Sequence, residues 1–238
     1  MKSVFLIVLG GLVVVLLAGA VWLWTPDRSR AELEKLYLRS PADMTEVAGV
    51  QLHVRDDGPR DAPAIVMLHG FGSSLQTWEA WAQALKGQYR VIRLDLPGSG
   101  LSPPDATNDY TDAHSINLIV GLMDQRGVAR ASLIGNSLGG RIAWTFAAQH
   151  PERTDKLILI SPDGFASPGF AYGKAPDVPP MLQAMQYALP KAFVRMNLGP
   201  SYGDISKMTP ETVDRYYDLM LVPGARRPAE ADGSDCSS

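Results

Sequence analysis

The sequence predicts an α/β fold with a mostly parallel sheet and helices on both faces. Short apolar segments alternate with helical patterns between about residue 44 and residue 164, and this alternation is typical of βαβ units. Three of the apolar segments end in glycine-bearing motifs, which begin at His69, Asp95 and Gly135. Because the carboxyl ends of parallel strands meet at one edge of a sheet, where ligands bind, we expect these motifs to converge on one cleft.

The N-terminal segment, residues 1–25, contains an uncharged apolar run from Val4 to Trp24. A run of about twenty such residues is long enough to cross a bilayer as a helix. Ala18-Gly19-Ala20 resembles a signal peptidase site, so a cleaved signal peptide is the alternative. The run continues past that site through two tryptophans, which favours an uncleaved single-pass anchor and a cell-membrane location. Basic residues flank the run on both ends, which leaves the side of the membrane open.

The next segments are a short linker region and the core. Residues 26–43 are expected to hold a juxtamembrane helix over 31–38, and residues 44–164 to form the core. In the core the patterns predict a hairpin around Ala48-Gly49 and buried strands over 64–68, 89–94, 131–134 and 156–160. Helices are expected over 77–85, 112–125 and 140–148.

After residue 164 the composition changes. Residues 165–180 are rich in glycine and proline, and helical runs follow around 181–189, 191–198 and 211–221. We interpret residues 165–222 as a small helical lid over the cleft. Residues 223–238 have almost no apolar periodicity and are predicted to be disordered.

The segment Gly135-Asn136-Ser137-Leu138-Gly139 is a G-x-S-x-G pentapeptide between a strand pattern and a helix pattern. This context is typical of a nucleophile elbow, a tight turn that lifts a serine hydroxyl into a cleft. Glycines are needed there because the turn is too crowded for Cβ atoms. Ser137 is therefore the candidate nucleophile.

Three motifs together carry a family resemblance: His69-Gly70-Phe71-Gly72, Asp95-Leu96-Pro97-Gly98-Ser99-Gly100 and the pentapeptide with Gly140. In this order they resemble the α/β-hydrolase fold family, over about Thr45 to Leu221. The resemblance implies an oxyanion hole formed by the backbone N–H groups of Phe71 and Leu138.

The same resemblance implies a chemistry. Serine at the elbow, in place of aspartate, implies a hydrolase that acts on carboxylic esters or lipid-like acyl substrates through an acyl-enzyme, with no metal or organic cofactor. A hydrolase of carbon–carbon bonds in ring-fission products is the alternative within enzymes. A non-catalytic binding protein is the alternative outside them.

The partners that a serine nucleophile needs are hard to find. In this family an acid and then a histidine follow the serine in the chain. Asp163 is a possible acid, but no histidine follows His150. His53, His69, His114 and His150 each have a structural interpretation, and Asp95 is expected to brace its own loop.

Two hypotheses explain the missing partners. A truncated or frameshifted serine hydrolase is favoured, and a complete protein that kept only a binding cleft is the alternative. If two further strands are missing, the strand over 156–160 is expected to be an exposed apolar edge that promotes self-association.

The composition excludes some classes of binding partner and of covalent cross-link. The formal net charge is −3 and no basic stripe is present, which argues against a nucleic-acid partner. The single cysteine, Cys236, excludes a disulfide framework within the chain. The expected partners are therefore a small-molecule substrate and, through the N-terminal helix, a membrane.

Overall fold

The computed structural model describes residues 2–164 and 183–226 of the 238-residue chain. The strands, in chain order, are β1 (Met44–Val47), β2 (Val50–Asp57), β3 (Ala64–Leu68), β4 (Arg90–Leu94), β5 (Ala131–Ser137) and β6 (Thr154–Pro162). The α-helices are α1 (Lys2–Leu23), α2 (Arg30–Tyr37), α3 (Glu79–Leu85), α4 (Asp112–Gln125), α5 (Leu138–Gln149), α6 (Lys191–Leu198) and α7 (Pro210–Met220).

The described residues fall into two compact units. The larger unit contains residues 28–164 with 218–226, and the smaller contains residues 2–27 with 183–217. The whole sheet lies in the larger unit. In the smaller unit, Trp24 stacks on Tyr187 and the Tyr187 carbonyl accepts a hydrogen bond from the Thr25 N–H.

The N-terminal segment differs from the prediction. A membrane-spanning helix needs about twenty consecutive apolar residues, and no helix among the described residues is long and apolar enough to cross a membrane. The part of α1 whose side chains are described consists of residues 9–15 and 17–23. On this finding the predicted single-pass anchor is wrong, and so is the predicted cell-membrane location.

Helix α2 begins where the sequence pattern indicates and packs on the larger unit. Ser29 and Glu32 form a reciprocal capping box at its start, which satisfies two otherwise unpaired N–H groups. Its buried Leu33 packs with Leu101, Leu219 and Val222. The helix that we predicted to lie beside a membrane is therefore held by apolar contacts to this unit.

The sheet has six strands in the order β1-β2-β4-β3-β5-β6. β1 pairs antiparallel with β2, and β2 pairs antiparallel with β4. The other pairs, β4–β3, β3–β5 and β5–β6, are parallel. The predicted α/β fold with a mostly parallel sheet is confirmed, and β6 forms one edge of the sheet.

Both faces of the sheet are covered, as strand β3 illustrates. Its alternate residues Val66 and Leu68 belong to the apolar cluster that includes side chains of α4 and α5. Ile65 and Met67 pack on the opposite face with Trp78 and residues of α3. Strands buried on both faces are continuously apolar, which is why the β3 segment has no polar alternation.

Two local details differ from the predicted patterns. The segment predicted as a single helix over 77–85 begins as a 3₁₀ turn, Leu75–Trp78, before α3. The hairpin between β1 and β2 does turn at Ala48-Gly49, with φ of 49° and 84°. Positive φ at both positions is the geometry of a tight two-residue hairpin loop.

Some predicted segments lie outside the described residues. These are residues 165–182 of the expected lid and residues 227–238 of the expected disordered tail. Residues 183–226 contain α6, α7 and short 3₁₀ turns. The assignment of residues 165–222 to a lid stays a prediction.

Candidate active site

Ser137 lies at the junction of β5 and α5. It is the last residue of the strand and the residue that precedes the helix, with φ 51° and ψ −121°. A positive φ is rare for a residue with a side chain, and a conformation of this kind occurs mostly where function maintains it. The backbone therefore has the sharp strand-to-helix turn that the pentapeptide predicts.

Glycines make this turn possible. A Cβ atom added to Gly135 would lie 2.2 Å from the carbonyl oxygen of Gly139, and one added to Gly139 would lie 2.4 Å from the carbonyl oxygen of Leu68. Distances below 3.0 Å are not found for real Cβ atoms, so a larger residue would force the backbone apart. The two flanking glycines thus let α5 start directly against the end of β3.

The loop after β3 approaches the same serine. A Cβ atom added to Gly70 would lie 3.2 Å from the Cβ of Ser137, so the backbone of Gly70, the residue before Phe71, is adjacent to the candidate nucleophile. Leu138 is the first residue of α5, and the first N–H groups of a helix have no partner within the helix. Amide groups at a helix N-terminus favour negative charge. Leu138 thus directly follows Ser137, and Phe71 follows the adjacent Gly70 in the chain. The oxyanion-hole role of both residues stays a prediction.

The side chains of these two residues differ in environment. The Phe71 ring is 90% exposed, whereas Leu138 is partly buried against the core. Only the backbone N–H of each residue is needed for oxyanion binding, so the two side chains can differ without affecting that role.

His69 is buried behind the loop and is not a base. Its Nδ1 lies 2.8 Å from the Gly70 carbonyl oxygen, and the Leu96 N–H donates to its Nε2 over 3.0 Å. These two bonds fix a neutral tautomer with the proton on Nδ1. Burial lowers the pKa of His69, against the smaller opposing effect of Asp95. The structural role expected from the sequence agrees with this geometry.

The other three histidines each lie close to a carboxylate and not to Ser137. His53 Nδ1 lies 2.7 Å from Asp95 Oδ2, and His114 Nε2 lies 2.6 Å from Asp105 Oδ2. His150 Nδ1 lies 3.5 Å from Glu152 Oε1. All four histidines of the chain belong to the described residues, and within those residues none is hydrogen-bonded to Ser137. Among the described residues, Ser137 thus has no histidine bonded to it that could serve as its base.

The backbone of Asp163, the possible acid, lies beside the backbone of Ser137. Its N–H donates to the Ser137 carbonyl over 3.0 Å. Its carboxylate accepts from the Gly164 N–H at 2.8 Å and lies 3.4 Å from Nη1 of Arg141. Arg141 also pairs with Asp112 at 3.1 Å. The Asp163 carboxylate thus faces an arginine, and no histidine is among its partners.

One contact of the elbow was not identified from the sequence. The Asn136 amide donates through Nδ2 to the Ile160 carbonyl over 2.9 Å, which joins the elbow to β6. Asn136 stands at a variable position of the G-x-S-x-G pattern, so the motif itself gave no signal for it. No cluster of His, Cys, Asp and Glu suited to a metal ion occurs among the residues that the structure describes.

With this geometry established, comparison with known proteins is informative. A family model described as the alpha/beta hydrolase fold matches residues 63–232. The chain belongs to the α/β-hydrolase fold family. Ser137 and the loop beside it occupy the matched region, and a family of hydrolases supports an enzyme.

Several curated proteins resemble the chain. A 2-hydroxy-6-oxononadienedioate/2-hydroxy-6-oxononatrienedioate hydrolase of Comamonas testosteroni is 34% identical over 125 residues, covering 51% of this chain and 43% of its own length. A protein of the same description from Burkholderia vietnamiensis is 31% identical over 192 residues, covering 78% and 64%. The AB hydrolase superfamily protein YfhM of Bacillus subtilis is 31% identical, covering 74% and 66%. The chain thus spans about half to two thirds of the length of these relatives.

Solved structures show the same likeness. A meta-cleavage product hydrolase from Pseudomonas fluorescens has a TM-score of 0.62 at 25% identity, covering 78% of this chain and 66% of its own. An enol-lactonase from Burkholderia xenovorans has a TM-score of 0.62 at 26% identity, covering 77% and 69%. A Vigna radiata epoxide hydrolase mutant, at 21% identity and a TM-score of 0.65, shares the fold alone.

These similarities bear on the choice between ester hydrolysis and carbon–carbon bond hydrolysis. The sequence analysis favoured ester hydrolysis over cleavage of a carbon–carbon bond. Two of the three curated relatives described above carry the name of a hydroxy-oxo-dienoate or -trienoate hydrolase. The hydrolase family is established, and the comparisons support the carbon–carbon alternative better than the ester interpretation.

Proposed function

We propose that Ser137 is the nucleophile of a serine hydrolase that cleaves a carbon–carbon bond in a ring-fission product of the 2-hydroxy-6-oxo-dienoate type. The observation that carries this proposal is the strained elbow of Ser137, with the backbone of Gly70 against it. The named relatives support the substrate class.

In the proposed reaction the Ser137 hydroxyl oxygen adds to the keto carbonyl of the substrate. The negative charge that develops on the carbonyl oxygen is bound by the N–H groups of Phe71 and Leu138. The carbon–carbon bond then breaks, the dienol fragment leaves with a proton, and water releases the carboxylic acid from the serine. One water is consumed, and no redox change occurs.

The proton of the Ser137 hydroxyl needs an acceptor for this reaction to be fast. The four histidines are bound elsewhere, and Asp163 faces Arg141. We therefore expect slow turnover by this chain alone, with Asp163 as the candidate acid for a base supplied from outside the chain.

Hydrolysis of an ester is the second candidate. The similarity to an enol-lactonase favours it, because a lactone is an internal ester and its hydrolysis would need the same nucleophile and oxyanion hole. A carboxylic ester or lipid-like acyl substrate would pass through an acyl-enzyme on Ser137.

A direct comparison of substrates tests the proposal. The purified chain is incubated with 2-hydroxy-6-oxo-6-phenylhexa-2,4-dienoate and with p-nitrophenyl acetate, alongside the Ser137→Ala variant. Faster loss of the dienoate, abolished in the variant, supports carbon–carbon cleavage. A rate only with the ester, also abolished in the variant, favours the second candidate. Rates that are equal in the wild type and Ser137→Ala contradict both and favour a non-catalytic binding protein.

A further inference from the structure

The feature of interest is a buried carboxylate outside the elbow. Asp95 directly follows β4 and its side chain is fully buried. It accepts hydrogen bonds from His53 Nδ1 at 2.7 Å, from the Leu75 N–H at 2.6 Å and from the Leu101 N–H at 2.9 Å. Burial by itself would raise the pKa of Asp95, but the hydrogen bond from His53 and the electrostatic attraction of His53, with a smaller effect of the Leu75 N–H, leave it below its ordinary value. Three N–H groups directed at one carboxylate favour its ionised form.

The three donors come from three separate segments. His53 lies in β2, Leu75 ends the loop that contains Phe71, and Leu101 lies in the loop after β4. The loop after β4 rests directly on the carboxylate, because a Cβ atom added to Gly100 would lie 2.1 Å from Asp95 Oδ2. Ser102 completes the arrangement: its hydroxyl donates to the Asp95 carbonyl at 2.7 Å and accepts from the His53 N–H at 2.8 Å.

The loop that contains Phe71 is thus held at both ends. At its start, the His69 ring accepts a hydrogen bond from the N–H of Leu96, the residue after Asp95. At its end, the Leu75 N–H donates to the Asp95 carboxylate. Between these points the Gly70 backbone lies against Ser137. The position of the Phe71 N–H relative to the serine therefore depends on where residues 95 and 96 are held.

We propose that Asp95 and His53 form a positioning pair that holds the loop over residues 69–75 in the geometry of the oxyanion hole. The pair acts through the loop and does not touch the reacting atoms, since both side chains are fully buried. The proposal rests on the proposed roles of Ser137 and Phe71.

Amide hydrogen exchange measured by mass spectrometry on the full chain tests the proposal, because it needs no turnover. Asp95→Asn and His53→Leu are expected to speed exchange in peptides over residues 69–76 by about tenfold or more. Asp95→Asn removes the charge and one of the two acceptor oxygens that face the three donors, and His53→Leu removes one donor to the buried charge. His53→Asn is expected to restore slow exchange, because the Asn amide can donate from nearly the position of Nδ1. Peptides of α4 should exchange as in the wild type, which shows that the variants fold.

Asp56→Asn is the matched control. Asp56 also has a largely buried carboxylate, it lies near the carboxyl end of β2, and its ion-pair partners are Arg60 and Arg90, at 2.8 Å for Arg90. Unchanged exchange over 69–76 in Asp95→Asn and His53→Leu would overturn the proposal. Equal acceleration in Asp56→Asn, or His53→Asn behaving like His53→Leu, would overturn it as well.

A second measurement separates this proposal from the proposed function. The rate of Ser137 modification by a fluorophosphonate, followed by mass spectrometry, should fall in Asp95→Asn and His53→Leu and recover in His53→Asn. If the wild type is not modified even with added imidazole while the exchange pattern appears as expected, the role of Ser137 fails, and the pair still holds the loop over residues 69–75. If the wild type is modified and Asp95→Asn is modified at the same rate, the positioning role fails.

Discussion

At the scale of single residues, the backbone conformation of Ser137 shows that the elbow costs conformational free energy. Its φ of 51° and ψ of −121° correspond to a backbone conformation that costs about 1–3 kcal/mol. The turn persists because Gly135 and Gly139 pack against neighbouring backbone with no room to relax. A protein that needed only a compact turn at this point would be more stable with an ordinary conformation.

Ser137 should react slowly and respond to an added base. We expect a fluorophosphonate to modify Ser137 weakly in the chain alone, because no histidine is bonded to its hydroxyl. Added imidazole should raise the rate by about tenfold or more, since a mobile general base replaces the missing one. Intact-mass spectrometry over time in increasing imidazole measures this rate.

The control for this experiment is Ser137→Ala, which should show no adduct at any imidazole concentration. N-methylacetamide is the matched control additive, and it should not accelerate the reaction because its amide nitrogen is not basic. Rapid modification without imidazole would mean that Ser137 already has a base.

At the scale of elements, strand β6 is the unusual one. It pairs with β5 along one side and forms the edge of the sheet. Leu157, Ile158 and Leu159 are 38%, 43% and 36% exposed, although the strand is as apolar as a strand buried on both faces. An exposed, long apolar edge is a template for pairing with other chains.

We expect this edge to promote self-association. Ile158→Lys places a charge in the middle of β6 and should shift the chain toward smaller species, because a charge on an edge opposes strand pairing. Size-exclusion chromatography with light scattering, at matched protein concentrations, measures the difference.

Leu36→Lys serves as the comparison, since Leu36 is 56% exposed on α2, away from the edge. It should leave the size distribution nearly unchanged. If Ile158→Lys and the wild type have the same distribution, β6 is not the associating element.

The elements differ in how well a sequence can predict them. The elbow was predictable because five consecutive residues determine it, and glycine at 135 and 139 has a local steric reason. The pairing of His53 with Asp95 was not predictable, because the partners are 42 positions apart and meet only through the order of strands β2 and β4. Nothing in the strand pattern distinguishes His53 from an ordinary strand residue.

The same contrast explains the error at the N-terminus. The apolar run was interpreted from its length, its apolar residues and its two tryptophans, whereas no helix among the described residues is long and apolar enough to cross a membrane. The 3₁₀ turn before α3 was missed for a tertiary reason, because the Leu75 N–H at its start is bound to the buried Asp95 carboxylate. Local patterns thus predicted elements, while contacts distant in sequence set their ends.

At the scale of the molecule, ionised carboxylates inside the larger unit tie its stability to pH. Burial by itself would raise the pKa of Asp57, but hydrogen bonds from Arg39 and Arg93 lower it below its ordinary value. Asp105 behaves in the same way, with Thr107 and His114 as its partners. Asp95 is the third such group.

We expect the free energy of unfolding to fall as the pH falls below about 4. For a carboxylate whose folded pKa is depressed, the stabilisation is present above the unfolded pKa of about 3.9 and is lost as the pH falls through the lower folded value. The unfolded chain binds more protons in this window, so acid favours it. Urea denaturation of the wild type between about pH 3 and pH 6 measures the slope.

Asp57→Asn should lower stability at pH 6 and flatten the acid limb, because one of the depressed groups is gone. Asp61→Asn, at an exposed position, should leave the slope as in the wild type. An acid limb equally steep in Asp57→Asn and the wild type would show that Asp57 does not contribute to it.

The junction between β6 and the elbow has a further consequence. The Ile160 carbonyl accepts a hydrogen bond from the Asn136 side chain, and the Asp163 N–H donates one to the Ser137 carbonyl. The end of an edge strand and the residue just after it therefore hold the backbone of the nucleophile. Edge strands and their ends open more readily than central strands. Fraying of β6 from its carboxyl end would therefore release the strained serine first. The reaction rate of Ser137 should therefore depend on how stably β6 is paired in the sheet. A peptide or antibody that binds and stabilises β6 should change this rate without entering the cleft.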